Sequence, residues 1–103
     1  MTVRRDHLDF EQFFEVRATT DDAQAAGMTL APGQSTGGPD NAHPDSDQWL
    51  FVVSGSGSAT VEGETVRLDA GDLVVIEAGE THEITNEGDA PLETLNLYVP
   101  PVY

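Results

Sequence analysis

Three histidines, at positions 7, 43 and 82, are the side chains of this chain best suited to chemistry near neutral pH. An imidazole there can take up or release a proton, or lend a nitrogen lone pair to a metal. Their surroundings differ. His7 sits in a polar opening stretch, MTVRRDHLDFEQ, and reads as a solvent residue. His82 opens the run THEITN, in which side chains two apart share a face. His82, Ile84 and Asn86 form the more apolar set, so His82 is expected to point inward. His43 lies in the loop PGQSTGGPDNAHPDSD, which feeds the dense apolar run QWLFVV. A lone inward imidazole is either a hydrogen-bonded core residue or a ligand. Neither His43 nor His82 taken alone decides between the two.

Composition narrows the remaining chemistry. There is no cysteine, so disulfides and thiolate metal sites do not arise. Asp and Glu number 19 against four basic residues, Arg4, Arg5, Arg17 and Arg67, and the net charge is -15. Such a surface repels phosphate backbones and anionic membranes, which argues against nucleic-acid and membrane partners. The Asp residues in DDAQ and DSDQ lack the spaced loop and bidentate Glu of a calcium site and read as solvated surface. Glu77 has the chemistry of a general base, but it lies where a turn begins and reads as solvated. High net charge opposes compaction unless salt screens it. With no lysine at all, the composition points to a salt-loaded cytoplasm such as a halophile's. No apolar run approaches a membrane span and no signal peptide is visible, so a soluble cytoplasmic protein is expected.

The elements that must position these residues are short strands. A length of 103 residues suits a single domain over 1–103, with an arm over 1–12 and a barrel over about 13–99. FFEVRA and AQAAGMTLA read as the first strands, and Gly27 with Pro32-Gly33 argues against a long helix in the second. QWLFVV ends at Ser54-Gly55. SATVEG and ETVRL flank a turn at Glu62-Gly63. LVVIE, THEITN and PLETLNLYV follow, separated by Gly-containing turns. Strands punctuated every eight to twelve residues indicate an all-β sandwich or barrel. QWLFVV is apolar on both faces, which predicts a strand covered on both sides, with Trp49 in the core or at a subunit interface.

The stretch from Gly71 to Asn86, GDLVVIEAGETHEITN, resembles the second motif of the cupin family, G-x5-P-x-G-x2-H-x3-N. Gly71, Gly79, His82 and Asn86 fall at the required spacing, and Glu77 stands in place of the usual Pro. The loop before QWLFVVSG resembles the first motif, G-x5-H-x-H-x3-4-E-x6-G. Anchored on Gly55, it puts Gln48 at the motif's Glu, His43 at its second His and Asn41 at its first. A rival register takes His43 and Asp45 as the two His positions.

The resemblance covers about residues 28–99 and implies a double-stranded β-helix, the jelly-roll barrel of cupins. It also implies a divalent transition metal (Zn, Fe, Mn, Ni or Cu) held by His43, His82, Gln48 and Asn41. Asp45 is the alternative ligand or substrate contact. Asn and Gln are weaker donors than the family's imidazole and carboxylate. Asn86 reads as structural, closing a turn after its strand. Three functions are compatible: a metal-binding oxygenase-, isomerase- or decarboxylase-type enzyme on a small polar molecule; a non-catalytic ligand-binding or sensor module; and a structural dimer. The catalytic residues are not specified by the resemblance, and the partners it implies are a small-molecule ligand and a second copy of the chain.

Overall fold

The structure, a computed structural model, describes residues 3–38 and 41–103. Residues 1–2 of the expected arm and 39–40 of the expected loop lie outside the described residues. Eight strands follow in order: β1 (Phe14–Thr19), β2 (Gln24–Leu30), β3 (Asp47–Ser54), β4 (Ser56–Val61), β5 (Glu64–Asp69), β6 (Leu73–Ile76), β7 (His82–Thr85) and β8 (Leu92–Val99). Each matches one of the apolar runs to within two residues at either end. They form a five-stranded sheet, β1-β2-β8-β3-β6, and a three-stranded sheet, β5-β4-β7, antiparallel throughout. This is the double-stranded β-helix. No helix of the described residues is long and apolar enough to cross a membrane.

The two sheets close over a core of Met28, Leu30, Leu50, Val52, Ala59, Leu68, Ile84 and Leu92. Fully burying one such large side chain stabilises the fold by about 1.5–3 kcal/mol. Register stacks the inward residues in layers. Leu30 faces Leu92; Met28 faces Thr94, which faces Val52; Ala26 faces Asn96, which faces Leu50; Gln24 faces Tyr98, which faces Gln48. The layers thus pass from apolar at one end of the barrel to polar at the other. That gradient sets where a site can form.

Two expectations change. The 32–47 loop is not merely a feeder. Its residues 34–36 and 41–43 run alongside β7, with bridges at Ser35–Thr85 and, just before the strand, at Ala42–Thr81. Trp49 is not in the core. With Phe51, Leu73, Val75, Leu97 and Val99 it stands exposed on the outer face of β6-β3-β8. The alternation was read correctly, but nothing among the described residues covers that face.

The opening arm is tied down. Leu8 and Phe10 lie over Gly27 of β2. Thr29 Oγ1 donates to the Phe10 carbonyl (2.9 Å). Arg17 grips Asp6 with Nε and Nη2 at 2.7 and 2.8 Å and reaches Asp9 and Glu15 with Nη1. The guanidinium lowers the Asp6 pKa and its own is raised in return. His7 is exposed and contributes only its carbonyl to Arg17.

Candidate functional site

The loop carries half of the site to the strand that carries the other half. The His82 backbone N–H donates to the Asn41 carbonyl at 2.8 Å, and that of Gly79 to the His43 carbonyl at 2.8 Å. These bonds hold the loop antiparallel to β7. They bring the His43 and His82 rings to 5.1 Å between centroids, tilted by 44°. His82 is almost fully buried, on the inward face its alternation predicts. Asn41, His43, Gln48 and His82 all line one open cavity of about 320 Å³. Asp45 does not join them. It is exposed in the turn before β3 and outside the cavity lining.

The orientation of Gln48 is forced by a chain of hydrogen bonds. The Met28 carbonyl can only accept, so Thr94 Oγ1 donates to it (3.2 Å). Thr94 Oγ1 therefore accepts from Asn96 Nδ2 (3.0 Å), and Asn96 Oδ1 is left to accept from Gln48 Nε2 (2.9 Å). Gln48 Oε1 is what remains. It is buried and makes no hydrogen bond of ordinary geometry. It lies near enough to His43 to favour that ring's protonated form, but not in a bonding arrangement. A buried acceptor left without a donor costs about 1–3 kcal/mol. Something beyond the protein is needed to satisfy it.

His82 is oriented by the same logic. Nδ1 faces the Glu80 carbonyl at 3.3 Å, which can only accept, so the proton sits on Nδ1 and Nε2 is the accepting nitrogen. Nε2 faces Asn41 Nδ2 at a long 3.4 Å. Burial lowers the pKa of both rings. The neighbouring His82 lowers His43 further, while the Glu80 carbonyl opposes the shift at His82. Both imidazoles are therefore neutral near pH 7. The polar end of the cavity presents lone pairs and carries no charge.

The rest of the lining is aromatic and apolar. Tyr98, buried at the end of β8, packs edge-on to His43 at 5.3 Å. Tyr103 packs against Phe14 at 4.8 Å, Tyr98 at 5.2 Å and His43 at 5.9 Å. Burial raises the Tyr98 pKa, and Tyr103 adds to the effect; burial raises Tyr103 as well. Gln24, buried at the start of β2, holds the Tyr103 backbone through both ends of its carboxamide, at 2.6 and 2.8 Å. Sequence reasoning missed Tyr98, Tyr103 and Asn96. Alternation along PLETLNLYV puts Asn96 and Tyr98 on one face and could have found them; Tyr103 left no local signal.

The residues present suit a metal of borderline softness. Two neutral imidazoles and an orphaned carboxamide oxygen are lone-pair donors of the kind that Zn, Fe, Ni or Cu accept. The set is sparse: among the described residues no three His, Cys, Asp or Glu side chains converge. Water or a ligand would have to complete the shell, and among the described residues no carboxylate lies in the lining to neutralise the ion.

Comparison with known proteins agrees with this architecture. The chain is 39% identical over 64 residues to the tetracenomycin polyketide synthase protein TcmJ of Streptomyces glaucescens, covering 62% of this chain and 42% of that protein. It is 32% identical over 74 residues to the oxalate-binding protein of Thermotoga maritima, covering 72% and 60%. It thus spans less than two thirds of either relative. Among solved structures, KdgF from Halomonas sp. superposes with a TM-score of 0.76 at 29% identity, covering 95% of this chain and 88% of that one. The Bacillus halodurans protein BH2720 gives 0.84 at 27% identity, covering 88% and 72%. Residues 27–98 match the sequence profile of the cupin domain, and they span every strand that shapes the cavity except β1. The barrel, the two motifs and this match agree: the chain belongs to the cupin family.

Proposed function

We propose that the cavity is a small-molecule site in which His43, His82 and Gln48 hold one divalent transition metal, with Asn41 at its edge. The observation that carries this reading is Gln48 Oε1, a buried acceptor aimed into the cavity by a hydrogen-bond chain that leaves it no donor. Two neutral imidazoles beside it support the same reading. A bound metal would supply Lewis acidity or an oxygen-binding position for an oxygenase- or isomerase-type reaction. The chain's own residues fix the donor directions through Asn96 and Glu80 and keep water off one side through the tyrosines.

A second reading is a non-catalytic binding module. It is favoured by the lining itself, in which no Asp, Glu, Lys or Arg stands among the described residues and the imidazoles are the candidate bases. The name of the Thermotoga relative, an oxalate-binding protein, is compatible with either.

Elemental analysis of untagged protein separates the two. A stoichiometric transition metal is expected, lost in the His43→Ala/His82→Ala double variant at unchanged circular dichroism. An apo protein that takes up no added zinc, nickel, iron or manganese would leave the binding-module reading standing.

We also propose that the chain pairs with a second copy through the outer face of β6-β3-β8. Six large apolar side chains from three adjacent strands stand exposed there, more than an isolated soluble sheet leaves bare. Light scattering should give twice the chain mass of 11.0 kDa. Pairing should strengthen with salt, because two such acidic bodies repel. A Trp49→Glu/Leu97→Glu variant should run as a monomer; a wild type that is monomeric at molar salt excludes this interface.

A further inference from the structure

The cavity also constrains what it can bind, and here the reading rests on the proposal that it is a ligand site. We infer that the ligand is a neutral hydroxyaromatic molecule, its ring against Tyr103 and Tyr98 and its hydroxyl at Gln48 and His82. Three observations converge on this class.

The unpartnered group at the polar end is an acceptor. Gln48 Oε1 has no donor, and His82 Nε2 has only Asn41 Nδ2 at a long 3.4 Å; each is held as an acceptor by a backbone carbonyl that can only accept, Met28 for one and Glu80 for the other. A ligand that satisfies them must bring a proton donor. A carboxylate brings only acceptors.

Among the described residues the lining holds no cationic side chain, and the chain carries a net charge of -15. Burying an anion there is opposed both by desolvation and by the field of the whole molecule. In this respect the cavity is unlike a site built for a dicarboxylate.

The wall opposite the apolar residues is a cluster of rings. Phe14, Tyr98, Tyr103 and His43 meet at centroid distances of 4.8 to 6.4 Å, mostly edge-on. Met28 and Ile84 add apolar surface from the other strands. A volume of about 320 Å³ suits a molecule of one ring with a few substituents. Tyr103 is 60% exposed even though its backbone is held by the buried Gln24. It is therefore an anchored wall residue at the mouth and supports little of the core.

In the metal-free protein the hydroxyl donates its one proton to Gln48 Oε1, beside His82; in a loaded one its oxygen is available to the ion. The test uses chelator-treated full-length protein, so its outcome is independent of metal uptake. Phenol, fluorobenzene and oxalate are titrated calorimetrically into the wild type, Gln48→Leu and Tyr103→Ala. Phenol should bind the wild type about tenfold more tightly than fluorobenzene, the worth of one hydrogen bond to an otherwise orphaned acceptor. Oxalate should give no binding heat. Gln48→Leu should erase the advantage of phenol over fluorobenzene, while Tyr103→Ala should weaken both by a similar factor of about three to ten. Because Tyr103 is largely exposed, its variant reports on binding even if Gln48→Leu fails to fold. Oxalate binding as tightly as phenol, absence of phenol binding, or phenol binding indifferent to Tyr103→Ala would overturn the assignment. None of these results bears on metal uptake, which is read separately by elemental analysis.

Discussion

Alanine at Gly57 should cost about 3 kcal/mol or more, at or beyond the upper end of what an added methyl group costs in a packed interior. Gly57 is buried in β4, beside the strand that carries His82. A β-carbon there would run into the Thr85 carbonyl oxygen of β7 and lie 3.0 Å from Leu92 Cδ2. The first of these is backbone and cannot swing aside as a side-chain tip can, so β4 and β7 must separate. Thermal unfolding followed by circular dichroism should show a midpoint lowered by roughly 12–24 °C, given about 4–8 °C per kcal/mol for a domain of this size. Gly79→Ala is the matched control. Gly79 has φ +85° but open space around its missing β-carbon, so its substitution costs only the left-handed strain, about 1–2 kcal/mol. If both variants lose the same stability, steric closure at Gly57 is not the reason for that glycine.

Asn86→Ala should lose about 3–5 kcal/mol without changing how much metal each folded molecule takes up. The side chain is fully buried at the far end of β7 from His82. Nδ2 donates to the Leu30 and Ala90 carbonyls, both at 2.8 Å, and Oδ1 accepts from the Gly88 N–H at 2.9 Å. Alanine orphans all three groups at once, each at about 1–3 kcal/mol, less what water can recover. Asn86→Asp should not rescue, since a carboxylate would face two carbonyl oxygens. Urea denaturation should show a lower midpoint at an unchanged slope, the mark of lost stability with the same unfolded state. Metal content that falls in proportion beyond the folded fraction would make Asn86 part of the site.

The two predictions separate motif residues by what they do. Gly71, Gly79, His82 and Asn86 lie at the cupin spacing, but only the imidazole faces the cavity. The asparagine closes a turn by bonding across it, as its residue type suggests.

Much of the fold was legible because strand periodicity and turn chemistry are local. Alternation in THEITN places His82 inward, and Gly- and Pro-containing breaks mark every strand boundary from β2 onward, while β1 and β2 are parted by Thr20-Asp21-Asp22. What failed was non-local. The loop's attachment to β7 rests on backbone bonds such as His82 N–H to the Asn41 carbonyl, which side-chain patterns do not encode. Tyr103 enters the cavity because Gln24, 79 positions earlier, holds its backbone. The direction of the Gln48 amide is set by a carbonyl on another strand, two hydrogen-bonded side chains away. The coverage expected over Trp49 did not appear either, because alternation reports which way a side chain points and not what meets it there.

The inner side of β8 has a consequence for how such a protein can change. Its four inward positions pass from Leu92 through Thr94 and Asn96 to Tyr98, so interior packing, amide orientation and the cavity wall are spelled out along a single strand of eight residues. β8 is also flanked by β2 and β3 and cannot drift at an edge. Selection for a new preference at Tyr98 or Asn96 therefore acts on folding at the same time. Diversification is freer at the cavity mouth, where Tyr103 stands on a tether and can be exchanged with less disturbance to the barrel behind it.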